Sequence, residues 1–321
     1  MSKAHKAIGL TLFYLSVVFF SVLLSDFINF GDFKIYEKSF NDHSQSFEDY
    51  QLYMGVNEPI PFLLFRLGNL LGISFVYLNA FLNALFLLAA YKFFFTFRKE
   101  NVGNFVLFCI VFVVSFYSAV LFFAAIRVKI ALIFILFSYH YFSVSRTRFY
   151  MFSIMGLLSH FQSIFFIPIP FLFQKRVNKL MVISISAITF FVFVFYLELL
   201  LNRVSAYIGS SVYIGNFIKV LFLLSLGYLI SERRINKVLY FLYSLLLLTF
   251  ALFADGGRIA QIAWLLVTFS FLMTHRYRFT FYMLTLYFVI NSLVFYLFLL
   301  DNGYPMHPDN TILNYFFRGD V

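Results

Sequence analysis

Apolar positions along this chain come in long unbroken blocks, and they neither alternate nor recur on one face of a helix. Blocks of about 20 residues are what a helix needs to cross a hydrocarbon core. They predict spans at 7–25, 74–96, 102–121, 124–144, 180–200, 217–231, 238–254, 257–273 and 279–300. A membrane interior accepts only backbone that satisfies its own hydrogen bonds. The pattern therefore predicts an all-α polytopic membrane protein of about nine transmembrane helices. The first block follows Lys3, His5 and Lys6 as a signal sequence would. It ends in Leu-Ser-Asp-Phe with no small-x-small cleavage site, which predicts a retained first span.

Three segments break the pattern. Residues 149–173 are apolar but hold His160, Gln162 and Ser163 at their middle and Pro168 and Pro170 beyond, which predicts a re-entrant hairpin. Such broken backbone is tolerated at membrane depth only where it packs in protein or lines a cavity. Residues 59–72 begin Pro-Ile-Pro and read as a short interfacial helix, with prolines where missing amides cost least. Residues 26–58 are polar and predict an extracytoplasmic loop. No internal repeat, low-complexity segment or linker is evident, so 1–321 reads as one integral membrane domain.

Composition narrows the class. Of 321 residues, 62% are hydrophobic and only 12% charged, against about 25% charged in an ordinary soluble domain. A soluble fold could not hide so much apolar surface. This excludes a cytosolic enzyme, a secreted domain, a nucleic-acid reader and a disordered protein. The net charge of +10 then reports orientation. With 149–173 re-entrant, 15 of the 24 Lys and Arg fall on the cytoplasmic side, against 11 if it crosses once. The N-terminus is then cytoplasmic and the C-terminus periplasmic. The single Cys109 forms no disulfide within the chain. No Cys/His cluster, Walker loop or Gly-x-Ser-x-Gly elbow appears, so neither cofactor nor metal is expected.

Charged groups at bilayer depth are expensive and mark candidate chemistry. Arg127 and Lys129 lie near the outer end of the 124–144 span. Two residues apart, they point to different faces, so at most one is expected to face the interior. Lys129 reads as snorkelling to the headgroups, and Arg127 as either an interfacial residue or a guanidinium clamp for phosphate. Arg258 follows Gly256-Gly257 at a helix mouth, which suits an anion; the bland alternative is a turn with Arg258 paired to Asp255. His160 is either a helix–helix hydrogen bonder or a group lining a site with Gln162 and Ser163. Outside the spans, Asp32, Tyr36 and Glu58 combine carboxylates with an aromatic ring, which suits carbohydrate, and one carboxylate could act as a general base. Glu37, Asp42, Glu48 and Asp49 read as solvated acids capping short helices.

The order of these residues resembles the EpsG family, which is linked to exopolysaccharide and O-antigen polymerisation and is Wzy-like. The resemblance rests on Gly31-Asp32-Phe33-x-x-Tyr36, Glu58-Pro59 leading into Phe62-Leu63-Leu64, Ile126-Arg127-x-x-Ile130-Ala131, and Ser159-His160-Phe161-Gln162-Ser163 followed by Ile167-Pro168. Tyr304-Pro305 and the Asn-Thr-Ile-Leu at 310–313 are similar to the family's tail. Two positions depart: Val128 stands where the family often has Gln, and Ser163 follows His160 by three residues, not two. The resemblance implies a GT-C-like, metal-independent glycosyltransferase in a bacterial inner membrane. It would polymerise undecaprenyl-diphosphate-linked oligosaccharide repeats at the periplasmic face, with a chain-length regulator protein as a partner and no nucleic acid. Arg127 and Arg258 would hold the diphosphate. His160, Asp32 or Glu58 would be catalytic, and Tyr36, Gln162 and Ser163 would bind glycan.

A repeat-unit flippase or exporter is the main alternative. It would have basic residues lining a central cavity and commonly two related halves, and no repeat is evident. A monosaccharide transferase wants an acidic pair at the end of the first span, and Glu48-Asp49 lies well beyond it. A membrane acyltransferase would give His160 a carboxylate partner close in sequence, and none is there. A structural scaffold needs no buried Arg.

Overall fold

The computed structural model describes residues 3–25, 32–97 apart from 43 and 56, 125–173, 212–231 and 236–253, with 259, 262, 263, 266 and 267. Every described element is helical, and no strand occurs among the described residues. In chain order they are α1 (Lys3–Ser25), α2 (Asp32–Asn41), α3 (Phe47–Met54), α4 (Pro59–Leu70), α5 (Phe75–Phe97), α6 (Ile126–Tyr141), α7 (Arg146–Ser159), a 3₁₀ turn (Phe161–Phe165), α8 (Ile169–Leu172), α9 (Val212–Ser231) and α10 (Lys237–Phe253). The described residues divide between two compact units, one ending at Ile164 and the other beginning at Phe165.

The apolar blocks at 7–25, 74–96, 124–144, 217–231 and 238–254 are helices, with ends displaced by no more than five residues. Of the 257–273 block, Ile259, Ile262, Ala263, Leu266 and Val267 are helical and buried, which is one face of a helix. The blocks 102–121, 180–200 and 279–300 lie outside the described residues. Among the described helices one, over Phe75–Phe93, is by length and composition able to cross a membrane.

The segment 26–58 is not simply a loop: it contains α2 and α3. Phe33, Tyr36 and Phe40 are spaced at i, i+3 and i+7, and all are buried. Their rings pack on Phe65 of α4 and Phe75 of α5 at centroid distances of 5.0 to 6.3 Å. Polar side chains latch α4 to the end of α2. Asn69 Nδ2 donates to the Phe40 carbonyl (2.5 Å) and Arg66 Nη1 to the Asp42 carbonyl (3.1 Å). These bonds satisfy carbonyls that a helix end leaves open. Helix α3 is fixed at both ends. Ser46 and Asp49 form a capping box, and Gly55 closes the helix at φ 63°, a left-handed conformation that glycine adopts without strain. The capping role expected for Asp49 is therefore observed.

Helices α6 and α7 form an antiparallel pair joined by residues 142–145, with Ser145 capping α7 through the Arg148 amide (3.4 Å). Gly156 lets them approach closely. A Cβ there would lie 3.0 Å from Ile135 Cδ1 and 3.3 Å from the Ala131 carbonyl. The other face of α6 meets α5, which in turn packs on α1. Both faces of α6 are thus covered, and this corrects two expectations. Lys129 does not snorkel: it is fully buried and donates to Asn79 and to Asn83 (2.6 Å), while Asn83 donates to Ser21 Oγ (3.0 Å). Arg127 also points inward, from the opposite side of the same helix.

In the second unit α9 packs on α10, and Tyr240 donates to the Leu224 carbonyl at 2.7 Å. Tyr243 donates to the Phe165 carbonyl at 2.5 Å, and the Asn236 amide to the Leu172 carbonyl at 2.7 Å.

Candidate functional site

Glu58 occupies the N-cap position of α4, yet its side chain caps nothing. An N-cap acid normally accepts from the second or third amide of its helix. Here Pro59 and Pro61 stand at the first and third positions, and Pro61 removes one of those donors. The carboxylate turns into the protein instead, 4% exposed. One oxygen accepts from Arg127 Nη1 at 3.0 Å; the other meets His160 Nδ1 at 2.7 Å.

Arg127 lies in the first turn of α6, where the helix dipole disfavours a cation. Its ion pair offsets that. The guanidinium Nε donates to the Tyr36 hydroxyl at 2.8 Å, and the group also sits over the Tyr36 ring, 5.7 Å from its centroid. A guanidinium carries five N–H donors. Among the described residues two of them are engaged, by Tyr36 and Glu58, and they fix the plane of the group.

His160 marks the break after α7, in extended conformation (φ −163°, ψ 118°), with the 3₁₀ turn following. The break expected within 149–173 is thus at His160. Because α6 and α7 are antiparallel, the end of α7 lies level with the start of α6, which brings His160 and Arg127 to the same carboxylate. The second ring nitrogen meets Gln162 Oε1 at 3.1 Å. With the amide so oriented, both ring nitrogens face oxygen acceptors, the pattern of an imidazolium. Turning the amide over offers N–H to Nε2 and leaves a neutral ring. In either orientation of the Gln162 amide the ring keeps both partners.

Tyr36, Glu58, Arg127, His160 and Gln162 thus form one continuous hydrogen-bonded chain drawn from four segments. Ser163 lies beside it, fully buried, with its amide bonded to the His160 carbonyl (2.9 Å) and no partner for its hydroxyl among the described residues. Asp32 is the first residue of α2, one turn ahead of Tyr36; its side chain lies outside the described part of the molecule. Arg258 also lies outside the described residues, so its pairing with Arg127 is not part of the observed site.

Two features escaped the sequence reading. One is Tyr50 on α3, fully buried and ringed by Phe62 and Phe65. Its signal was Ser46-x-x-Asp49, a capping box that starts a helix just before it. The other is the Lys129 network, whose signal was Asn79 and Asn83 at i, i+4 within an apolar block.

Compared with family models, curated proteins and solved structures, the chain matches none.

Proposed function

We propose that this site extends glycans carried on a lipid diphosphate, as a metal-independent polymerase of undecaprenyl-diphosphate-linked repeats in the inner membrane of a bacterium. The observation that carries the reading is Glu58 bridging Arg127 and His160. A cation and an acid–base group held on one carboxylate are the two functions that displacement of a diphosphate requires. The apolar composition and the family resemblance supply the membrane setting and the substrate class.

In the reaction, a hydroxyl of the acceptor repeat attacks the anomeric carbon of the donor chain. The new C–O bond forms as the bond from that carbon to the diphosphate oxygen breaks. His160 takes the hydroxyl proton, with Glu58 stabilising the imidazolium. Arg127 and the positive end of α6 hold the departing diphosphate where its charge develops. Tyr36 orients the guanidinium. Gln162 and Ser163 face the sugar, and Asp32, Arg258 and a chain-length regulator complete the proposal.

The test is incubation of the purified protein with a lipid-linked repeat, read as a ladder of products on a gel. R127A and H160A should each yield only single repeats while retaining the helical content of the unaltered protein. Full ladders from both variants would remove this reading. Single repeats that stay on the inner face after gene deletion would point instead to the flippase alternative.

A further inference from the structure

The strongest unexplained group near the site is the Tyr50 hydroxyl. Tyr50 is fully buried, and its hydroxyl has no hydrogen-bond partner among the described residues. Buried hydroxyls are almost always paired, because stripping one of water without replacement is costly. Helix α3 holds this one in place, since it is capped at both ends and the ring stacks on Phe47 (6.3 Å), lies tilted against Phe62 (5.4 Å) and meets Phe65 edge-on at 6.5 Å.

The surroundings say what would satisfy it. Phe65 also meets the Tyr36 ring, at 6.3 Å, so the two tyrosines flank one phenylalanine. Tyr36 is already engaged by Arg127. Burial raises the Tyr50 hydroxyl well above the ordinary tyrosine range, and the nearby positive charge of Arg127 acts on it in the opposite direction. The group therefore keeps its proton and presents a donor. A donor without an acceptor, linked through Phe65 and Tyr36 to a guanidinium whose other N–H groups are unengaged among the described residues, fits an anionic oxygen.

We infer that Tyr50 is a further substrate-binding residue, whose hydroxyl donates to a phosphate oxygen held by Arg127. The inference rests on the diphosphate reading of the site. It adds a neutral donor, carried on a separate helix, to the guanidinium. A hydrogen bond to a charged group is the strong kind, and one made from a hydroxyl already stripped of water avoids desolvation on binding.

The test uses the full chain in detergent and measures affinity for farnesyl diphosphate, inorganic pyrophosphate and farnesol, with Tm recorded for each variant. Y50F should bind both diphosphates about 10- to 100-fold more weakly, leave farnesol unchanged, and melt no lower than the parent, since only an unpaired hydroxyl is lost. R127A should lose both diphosphates. Unchanged diphosphate affinity in Y50F, with loss in R127A, overturns the role of Tyr50 and leaves the wider reading standing. No diphosphate binding by the parent protein overturns both. Equal weakening toward farnesol, or a lower Tm, shows that the ring acts by packing and overturns the inference as well.

Discussion

Glu58 and His160 lie 102 residues apart in the chain and share a 2.7 Å contact between Oε1 and Nδ1. That contact joins the start of α4 to the end of α7, and Arg127 from the start of α6 completes it at 3.0 Å. Each of the three residues stands where a helix begins or ends. Backbone groups there are incompletely paired, so polar side chains can gather without disrupting helical ladders.

Removing the central member should be the most damaging change. E58A strands a buried guanidinium and should destabilise the protein by about 3–5 kcal/mol. E58Q keeps the shape but not the charge, and should leave a well-folded protein with chain extension lowered at least 10²-fold. Thermal unfolding in detergent separates the two variants, and the product ladder reads the activity. An E58Q ladder of normal length would mean that the carboxylate is structural only.

Lys129 offers a test of a buried polar network that is independent of the site. K129A removes the donor shared by the side-chain oxygens of Asn79 and Asn83 and should cost about 1–3 kcal/mol. Replacing all three members by apolar residues of similar size, K129M with N79L and N83L, should recover most of that loss. Denaturant unfolding of the two proteins compares them directly. Equal stability of K129A and the parent would refute a structural network here.

Gly156 sets the spacing of α6 and α7. G156V must displace Ile135 or the α6 backbone, and should destabilise by about 1–3 kcal/mol. Because the nearest atoms belong to the Ile135 side chain, I135A should partly rescue G156A. A double-mutant cycle on Tm measures the coupling, and simple additivity would show that the two positions do not meet.

The capping box makes α3 sensitive to acid. Hydrogen bonds from the Ser46 side chain and then its amide hold the Asp49 carboxyl below its ordinary value of 3.8. A group depressed in the folded state stabilises fully above its unfolded value and ceases to do so as pH falls through its folded value. Protection of the α3 amides against hydrogen exchange, corrected for intrinsic rates, should therefore fall as acid takes the pH below 3.8. D49N should be less protected at neutral pH and lose that acid dependence.

The sequence by itself determined the helical class and the position of the long helices among the described residues, because unbroken apolar blocks of fixed length leave the backbone few alternatives. It also singled out Tyr36, Glu58, Arg127, His160 and Gln162, because polar groups stand out against an apolar background. It could not show that 26–58 folds into two helices on an aromatic cluster, since that depends on Phe65 and Phe75 being present across the interface. Nor could it show that Lys129 turns inward. Two positions apart on one helix, Arg127 and Lys129 had to face different ways, and whether each direction held water, lipid or protein was settled only when α5 and α7 packed against opposite sides of α6. The partner of His160 was equally out of reach, because antiparallel packing of α6 and α7 sets which distant residue arrives at the same level.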